Sequence, residues 1–373
     1  MTEPVFFAVL FGLLYFTLRF AETQGWGALV GAATAAFAGA WTRYEAWFLL
    51  PFVAVYVLIC GRGRRWTQRW VGALIFCLIA GAAPALWLAH NRWYFGDPFY
   101  FYHGPYSALA IQGKVPYPGR GDWRVAAQYF FAAGRLIAGW PALVLGCGGV
   151  LVTLFRQAFW PVIFLALPPV FYVWSIHSSG TPLFVPTLWP HSFYNTRYAL
   201  ASLPVIALGA AALAQLAPAR IHKPAAAAVA AIALLPFLIQ PQAHPIVLQE
   251  ADINSRARRQ WISRTAKFLR ASAGPHETFF TSFGDLTAIY RTLDIPLRDT
   301  LTGDNGIEWD AAVARPDLFL HTDWAVVMGG DAVQGVIDNA WLHGPRCELA
   351  RRFTVRGGPA IEIYKRVYEN PIY

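Results

Sequence analysis

Four clusters of polar and ionisable residues interrupt the otherwise apolar first two-thirds of this chain. The first is Thr42-Arg43-Tyr44-Glu45, a tight turn between two apolar runs. Arg43 and Glu45 stand close enough in sequence to form a local pair. The turn reads either as an interfacial anchor with a helix cap, or as an arginine that faces a cavity and holds an anionic phosphate. The second cluster runs from His90 through Asn91, Arg92, Trp93, Tyr94, Phe95, Gly96, Asp97 and Pro98 to Phe99, with Tyr100, Tyr102, His103 and Tyr106 beyond it. Gly96-Asp97-Pro98 is a turn signal. An aromatic belt at a membrane surface accounts for the Trp and Tyr residues. Arg92, Tyr94, Asp97 and His103 interleaved with them suit a sugar or phosphosugar, because aromatic faces cover apolar sugar faces and polar groups take the hydroxyls.

The third cluster begins at His177-Ser178-Ser179-Gly180-Thr181-Pro182 and resumes at Trp189-Pro190-His191-Ser192-Phe193-Tyr194-Asn195-Thr196-Arg197-Tyr198. His191, Tyr194 and Asn195 lead into Arg197. That arginine is expected one residue inside an apolar helix, where it either snorkels or seeks an anion. The fourth is Glu3, beside Pro4 at the start of an apolar helix. It is an ordinary first-turn acid or a weak candidate for a catalytic carboxylate. No P-loop, nucleophile elbow or zinc-spaced histidine set occurs. Cys60, Cys77, Cys147 and Cys347 form no CxxC pair, so neither a metal framework nor a disulfide framework is expected.

These clusters need membrane elements to position them. Only 14% of residues are charged and 56% are hydrophobic, so most of the chain does not face water. Residues 1–240 hold fifteen Lys/Arg against five Asp/Glu, whereas residues 241–373 hold fifteen against sixteen. The first part is apolar and basic, and the second reads as an ordinary soluble domain. Basic charge on membrane flanks rather than on a soluble face argues against a nucleic-acid partner. A span needs about 20 apolar residues. The expected spans are Pro4–Phe20, Trp26–Trp41, Ala46–Cys60, Val71–Ala89, Leu136–Phe155, Phe159–Ile176, Tyr198–Ala217 and Ala225–Ile239. The fold class is therefore an all-α polytopic bundle of about eight helices over 1–240, with a small α/β domain over 241–373. Arg62, Arg64, Arg65 and Arg69 put the loop Gly61–Trp70 in the cytoplasm by the positive-inside rule. Counting outward, the N-terminus, the loops 90–135 and 177–197 and everything after Gln240 fall outside, so the chain is expected in the plasma (inner) membrane with a periplasmic tail. In that tail an amphipathic helix is expected from Asn254 to about Ala271. Strands are expected at Thr278–Ser282, Trp324–Met328, Glu348–Val355 and Ala360–Lys365, and a helix at Ala332–Leu342.

Taken in order, the clusters resemble the GT-C superfamily of polytopic membrane glycosyltransferases, on the branch of bacterial aminoarabinose transferases and protein O-mannosyltransferases. Met1-Thr2-Glu3-Pro4 is similar to that family's Ser/Thr-Glu-Pro helix start, and Thr42-Arg43-Tyr44-Glu45 to its Leu-Thr-Arg-x-Glu turn. Asn91 to Pro98 is similar to its Asn-x-x-Tyr-Tyr-Gly-Asn/Asp-Pro segment, and Asn195-Thr196-Arg197-Tyr198 to its Asn-x-Arg-Tyr helix start. The resemblance implies transfer of a sugar from a polyprenyl-phosphate donor to a lipid, glycan or protein acceptor at the outer face, by inverting displacement. It implies an acid that activates the acceptor or binds a divalent metal (Mg or Mn), and arginines, here Arg43 and Arg197, on the departing phosphate. The family's first outer loop, which carries its principal acid, has no counterpart here. The chain therefore reads as one that starts at an internal helix of the pattern, truncated and without that acid. A non-catalytic assembly protein is the alternative. A lipid-linked anion transporter is disfavoured, because no expected span has an ionisable residue near its centre.

Overall fold

In the computed structural model, residues 2–61, 65–105, 107–112, 116–239, 245–343 and 345–367 are described. Arg62 and Arg64, on which part of the orientation rests, and Tyr106 lie outside them. The chain divides into two compact units, Met1–Glu250 and Ala251–Tyr373.

The first unit is helical: α1 (Glu3–Thr23), α2 (Trp26–Thr42), α3 (Tyr44–Cys60), α4 (Trp66–Phe95), two short turns α5 (Tyr100–His103) and α6 (Ala108–Gln112), α7 (Trp123–Phe155), α8 (Phe159–Ser178), a 3-10 segment Thr196–Ser202 continuing into α9 (Leu203–Ala214), and α10 (His222–Ile239). Among the described residues six helices are long and apolar enough to cross a membrane: Glu3–Thr23, Trp66–Phe95, Trp123–Phe155, Phe159–Ser178, Thr196–Ala214 and Ala219–Ile239. The other two expected spans are the 17-residue helices α2 and α3, each about 26 Å long at 1.5 Å per residue. α7 starts thirteen residues before the expected span and α4 runs on to Phe95, so the expected loop 90–135 shrinks to 96–122. The early start follows from Asp122, whose side chain accepts from the backbone N–H groups of Arg124 (2.8 Å) and Val125 (3.1 Å) and caps α7. Gly139 breaks α7 with φ 76° and ψ 157°, just ahead of Pro141, so its two halves take different directions.

Small residues set how closely these helices approach. A Cβ built on Gly149 of α7 would lie 1.6 Å from the Gly209 carbonyl oxygen of α9, and one on Gly209 would lie 2.0 Å from that of Gly146. The backbones touch there, as membrane helices do where small residues meet. Elsewhere the core is aliphatic and aromatic: Phe6, Leu10 and Phe20 of α1, Leu29 of α2, Leu49 and Val53 of α3, Phe76 of α4 and Phe164 of α8 pack together.

The second unit begins within α11 (Ile246–Ser272). It continues through β1 (Phe279–Thr281), α12 (Thr287–Leu293), β2 (Thr300–Leu301), α13 (Ile307–Ala314), α14 (Pro316–Phe319), β3 (Trp324–Met328), α15 (Ala332–His343), β4 (Cys347–Phe353) and β5 (Ile361–Arg366). The sheet order is β2-β1-β3-β5-β4, with the first three strands parallel and the last two added antiparallel. Trp261 and Leu269 of α11 and Tyr290 of α12 cover one face, where Trp324, Val326 and Ile363 point. Val333, Val336 and Ile337 of α15 cover the other, against Phe280, Ala325 and Val327. Burial from both sides explains why β3 reads as an unbroken apolar run. The two-residue β2 carries no such signal, and sequence reasoning missed it. α11 also starts eight residues ahead of the expected Asn254. Ile246 joins the buried cluster of the first unit, and Glu250 hydrogen-bonds there, so the units divide at 250/251 rather than at 240/241.

Gly149→Ala is expected to lower the melting temperature in detergent, at a cost of about 1–3 kcal/mol for overpacking. Gly148→Ala, whose Cβ meets only Leu213 at 3.8 Å, should leave it unchanged.

Candidate functional site

The helix ends of the first unit bring Glu3, Arg43, Glu45 and Arg197 together. Arg43 is an extended residue between α2 and α3 (φ −155°, ψ 149°), so its side chain leaves the chain where neither helix claims it. Its Nε donates to Glu45 Oε1 (2.6 Å). Its Nη1 donates to Glu3 Oε1 and to Thr2 Oγ1 (2.9 Å each), and its Nη2 donates to the Tyr172 hydroxyl (2.7 Å). Tyr172, from the middle of α8, in turn donates to Glu45 Oε1. Four of the five N–H donors of the guanidinium are thus engaged, and the side chain is only 15% exposed. Glu3 and Glu45 are buried, which a carboxylate tolerates only with this kind of pairing.

Arg197 differs. It is the second residue of the 3-10 segment, its Nε lies 3.9 Å from Glu3 Oε1, and its side chain is 45% exposed. Its guanidinium lies over the Tyr198 ring (5.7 Å), and that ring stacks on Tyr172 (4.7 Å). The segment is held by Glu250, whose two carboxylate oxygens accept from the backbone N–H groups of Asn195 and Thr196 (2.8 Å each) and from the Thr196 hydroxyl (2.5 Å). Asn195 sits in the left-handed region (φ 55°) and donates its side-chain amide to the Pro182 carbonyl (3.0 Å). The two arginines therefore meet on one Glu3 carboxylate. The second Glu3 oxygen, Oε2, is buried without a hydrogen-bond partner among the described residues.

Arg43 and Glu45 also line a pocket of about 300 Å³ with Thr2, Trp41, Tyr44, Trp47 and Trp87. Tyr44 and Trp47 are shared with a larger apolar cleft of about 640 Å³, walled by Phe48, Phe101, Phe171 and Trp174 among others. A charged compartment thus abuts an aromatic one.

The remaining expected site residues have partners outside the Glu3 cluster. Arg92 donates to the Gly96 carbonyl (2.5 Å) and closes the end of α4. Asp97 accepts from the Phe99 N–H (2.9 Å) and pairs with His103 Nε2 (2.7 Å). Tyr94 is largely exposed, with its ring 4.6 Å from that of His90. His191 Nδ1 meets the Pro186 carbonyl (3.0 Å), and the Tyr194 hydroxyl accepts from Gln112 (2.9 Å). Thr2, Tyr172 and Glu250 were missed by sequence reasoning. Tyr172 is hidden in the aromatic run Phe171-Tyr172-Val173-Trp174, where only its hydroxyl sets it apart. Glu250 fell on the far side of the expected domain boundary.

Comparison with family models, with curated proteins and with solved structures finds no match.

Arg43→Gln is expected to leave buried Glu45 without its cation and Glu3 with only the longer contact to Arg197, at a cost of about 3–5 kcal/mol. Tyr172→Phe removes one donor and should cost less, about 1–3 kcal/mol. Thermal unfolding of the two variants in detergent checks that order.

Proposed function

We propose that the chain is a membrane glycosyltransferase of the GT-C kind. In this reading it moves a sugar from a polyprenyl-phosphate donor to a lipid, glycan or protein acceptor at the outer face of the plasma membrane, with the second unit on that side. The supporting observation is that two arginines 154 residues apart in sequence meet on one buried glutamate, beside a pocket that shares Tyr44 and Trp47 with a larger apolar cleft. An anion on an apolar tail suits such a pair of compartments.

The roles divide by exposure. Arg197, half open to solvent, faces the lipid phosphate and stabilises the charge that grows on it as the anomeric C–O bond breaks. Arg43, whose donors are occupied, neutralises Glu3 and Glu45 and fixes their positions. The acceptor hydroxyl would attack the anomeric carbon from the face opposite the phosphate, its proton passing to Glu3, the carboxylate on which both arginines converge. Aromatic rings of the pocket, Trp41, Trp47 and Trp87, cover the sugar. Arg92, Tyr94, Asp97, His103 and His191 lie on segments that would meet the donor or acceptor rather than the reacting atoms. A divalent metal does not suit this donor set: Glu3 and Glu45 both present Oε1 to the Arg43 guanidinium, which holds the place a cation would take. Among the described residues no three His, Cys, Asp or Glu side chains converge. No step is assigned to a metal.

A non-catalytic assembly protein is the second reading, favoured by how fully Arg43 is consumed within the chain. Release of polyprenyl phosphate from labelled polyprenyl-phosphate sugars by the reconstituted full chain separates the two. Transfer predicts release by the wild type, and a drop of about 100-fold or more in Arg197→Ala with an unchanged melting temperature. No release by the wild type supports the assembly reading.

A further inference from the structure

Along α11 the cations stand in two different electrostatic settings. In the first half they are compensated. Asp252 accepts from Arg256 (2.6 Å) and from Arg259, and these hydrogen bonds hold its carboxyl below the usual carboxylate range. Arg258 pairs with Asp285 (2.6 Å). In the second half that compensation stops. Lys267 has Arg264 three residues before it and Arg270 three after, with Ser263 and Ala271 at the four-residue positions. No acid occupies any helical neighbour site, so the like charges oppose one another. Arg270 donates to the Thr292 carbonyl (2.7 Å), a neutral partner. Lys267 makes no hydrogen bond or ion pair among the described residues.

Positions 259, 263, 267 and 270 fall on one face of a helix. They line a groove of about 680 Å³, floored by Ile262 and Ala266, and no acidic residue lines it. Two cations without an acidic partner among the described residues, Lys267 and Arg270, stand over an apolar floor with Ser263 on the same face, while Arg259 at the groove's end is already paired with Asp252; together they are complementary to an anion of more than one charge. An arginine fork binds phosphate oxygens two at a time, and a lysine adds a point charge. We propose that this groove on α11 binds a phosphate-bearing ligand, such as a diphosphate or a phosphate ester. The inference is independent of sugar transfer, because none of its residues belongs to the Glu3 cluster.

The ligand has two sources, a soluble phosphate compound or the headgroup of an anionic phospholipid, and two measurements on the full-length chain tell them apart. The first is calorimetric titration with inorganic pyrophosphate in neutral detergent at low salt. The second is amide hydrogen exchange over residues 259–271 in nanodiscs of phosphatidylcholine, with and without phosphatidylglycerol. Binding in the first, weakened about tenfold by Lys267→Gln and abolished in Lys267→Gln/Arg270→Gln, supports a soluble ligand. Slower exchange only in the anionic nanodiscs, and lost in the same variants, supports a headgroup. These side chains are exposed, so the variants should melt as the wild type does. Should the double variant melt early, Lys267→Gln alone carries the comparison. No response in either measurement, or a response that the variants leave unchanged, overturns the proposal.

Discussion

One buried guanidinium organises the end of this bundle. Arg43 sits between two carboxylates and a phenol, drawn from α1, α3 and α8. Each carboxylate alone would be costly to bury. Arg43 alone would be equally so. Together they satisfy one another, and the chain can then place acidic groups where an apolar bundle would otherwise exclude them. The planar five-donor fork is what allows one side chain to reach three helices at once. A lysine has three donors on a single nitrogen and could not hold these partners in one plane.

From this constraint a division of labour follows. With Arg43 consumed by its neighbours, the more exposed cation of the pair is Arg197. Its position depends on a second buffer of hydrogen bonds, the Glu250 carboxylate clasping the backbone of Asn195 and Thr196. A 3-10 turn rather than a regular helix start therefore presents Arg197, and the tyrosine pair Tyr172–Tyr198 stacks beneath it. The two arginines expected at this end of the bundle thus differ in setting: Arg43 is buried and paired, and Arg197 is about half exposed.

How much was legible in the sequence depends on the range of the interaction. The apolar runs of α1, α4, α8 and α10 read clearly, because a membrane span announces itself by length and composition alone. The pairing of Arg43 with Glu45 was also local, two residues apart. β3 and the helix at Ala332 were legible from continuous and periodic apolar patterning. The meeting of Glu3 with Arg43 and Arg197 was not legible, since those residues lie up to 194 positions apart. Tyr172 was illegible because a buried tyrosine in an aromatic run looks like packing. Glu250 was illegible because a lone acid ahead of an amphipathic helix looks like part of its polar face. β2 is too short to leave any pattern.

Burial and a shared hydrogen bond make Glu3 and Arg43 energetically one unit. A double-mutant cycle on Glu3→Gln and Arg43→Gln, read from unfolding of the full chain in detergent, measures this directly. Such a unit has a coupling energy of at least about 1 kcal/mol, with the double variant less damaged than the sum of the single ones. Additivity within about 0.5 kcal/mol would contradict it and leave the two side chains as neighbours without a shared role.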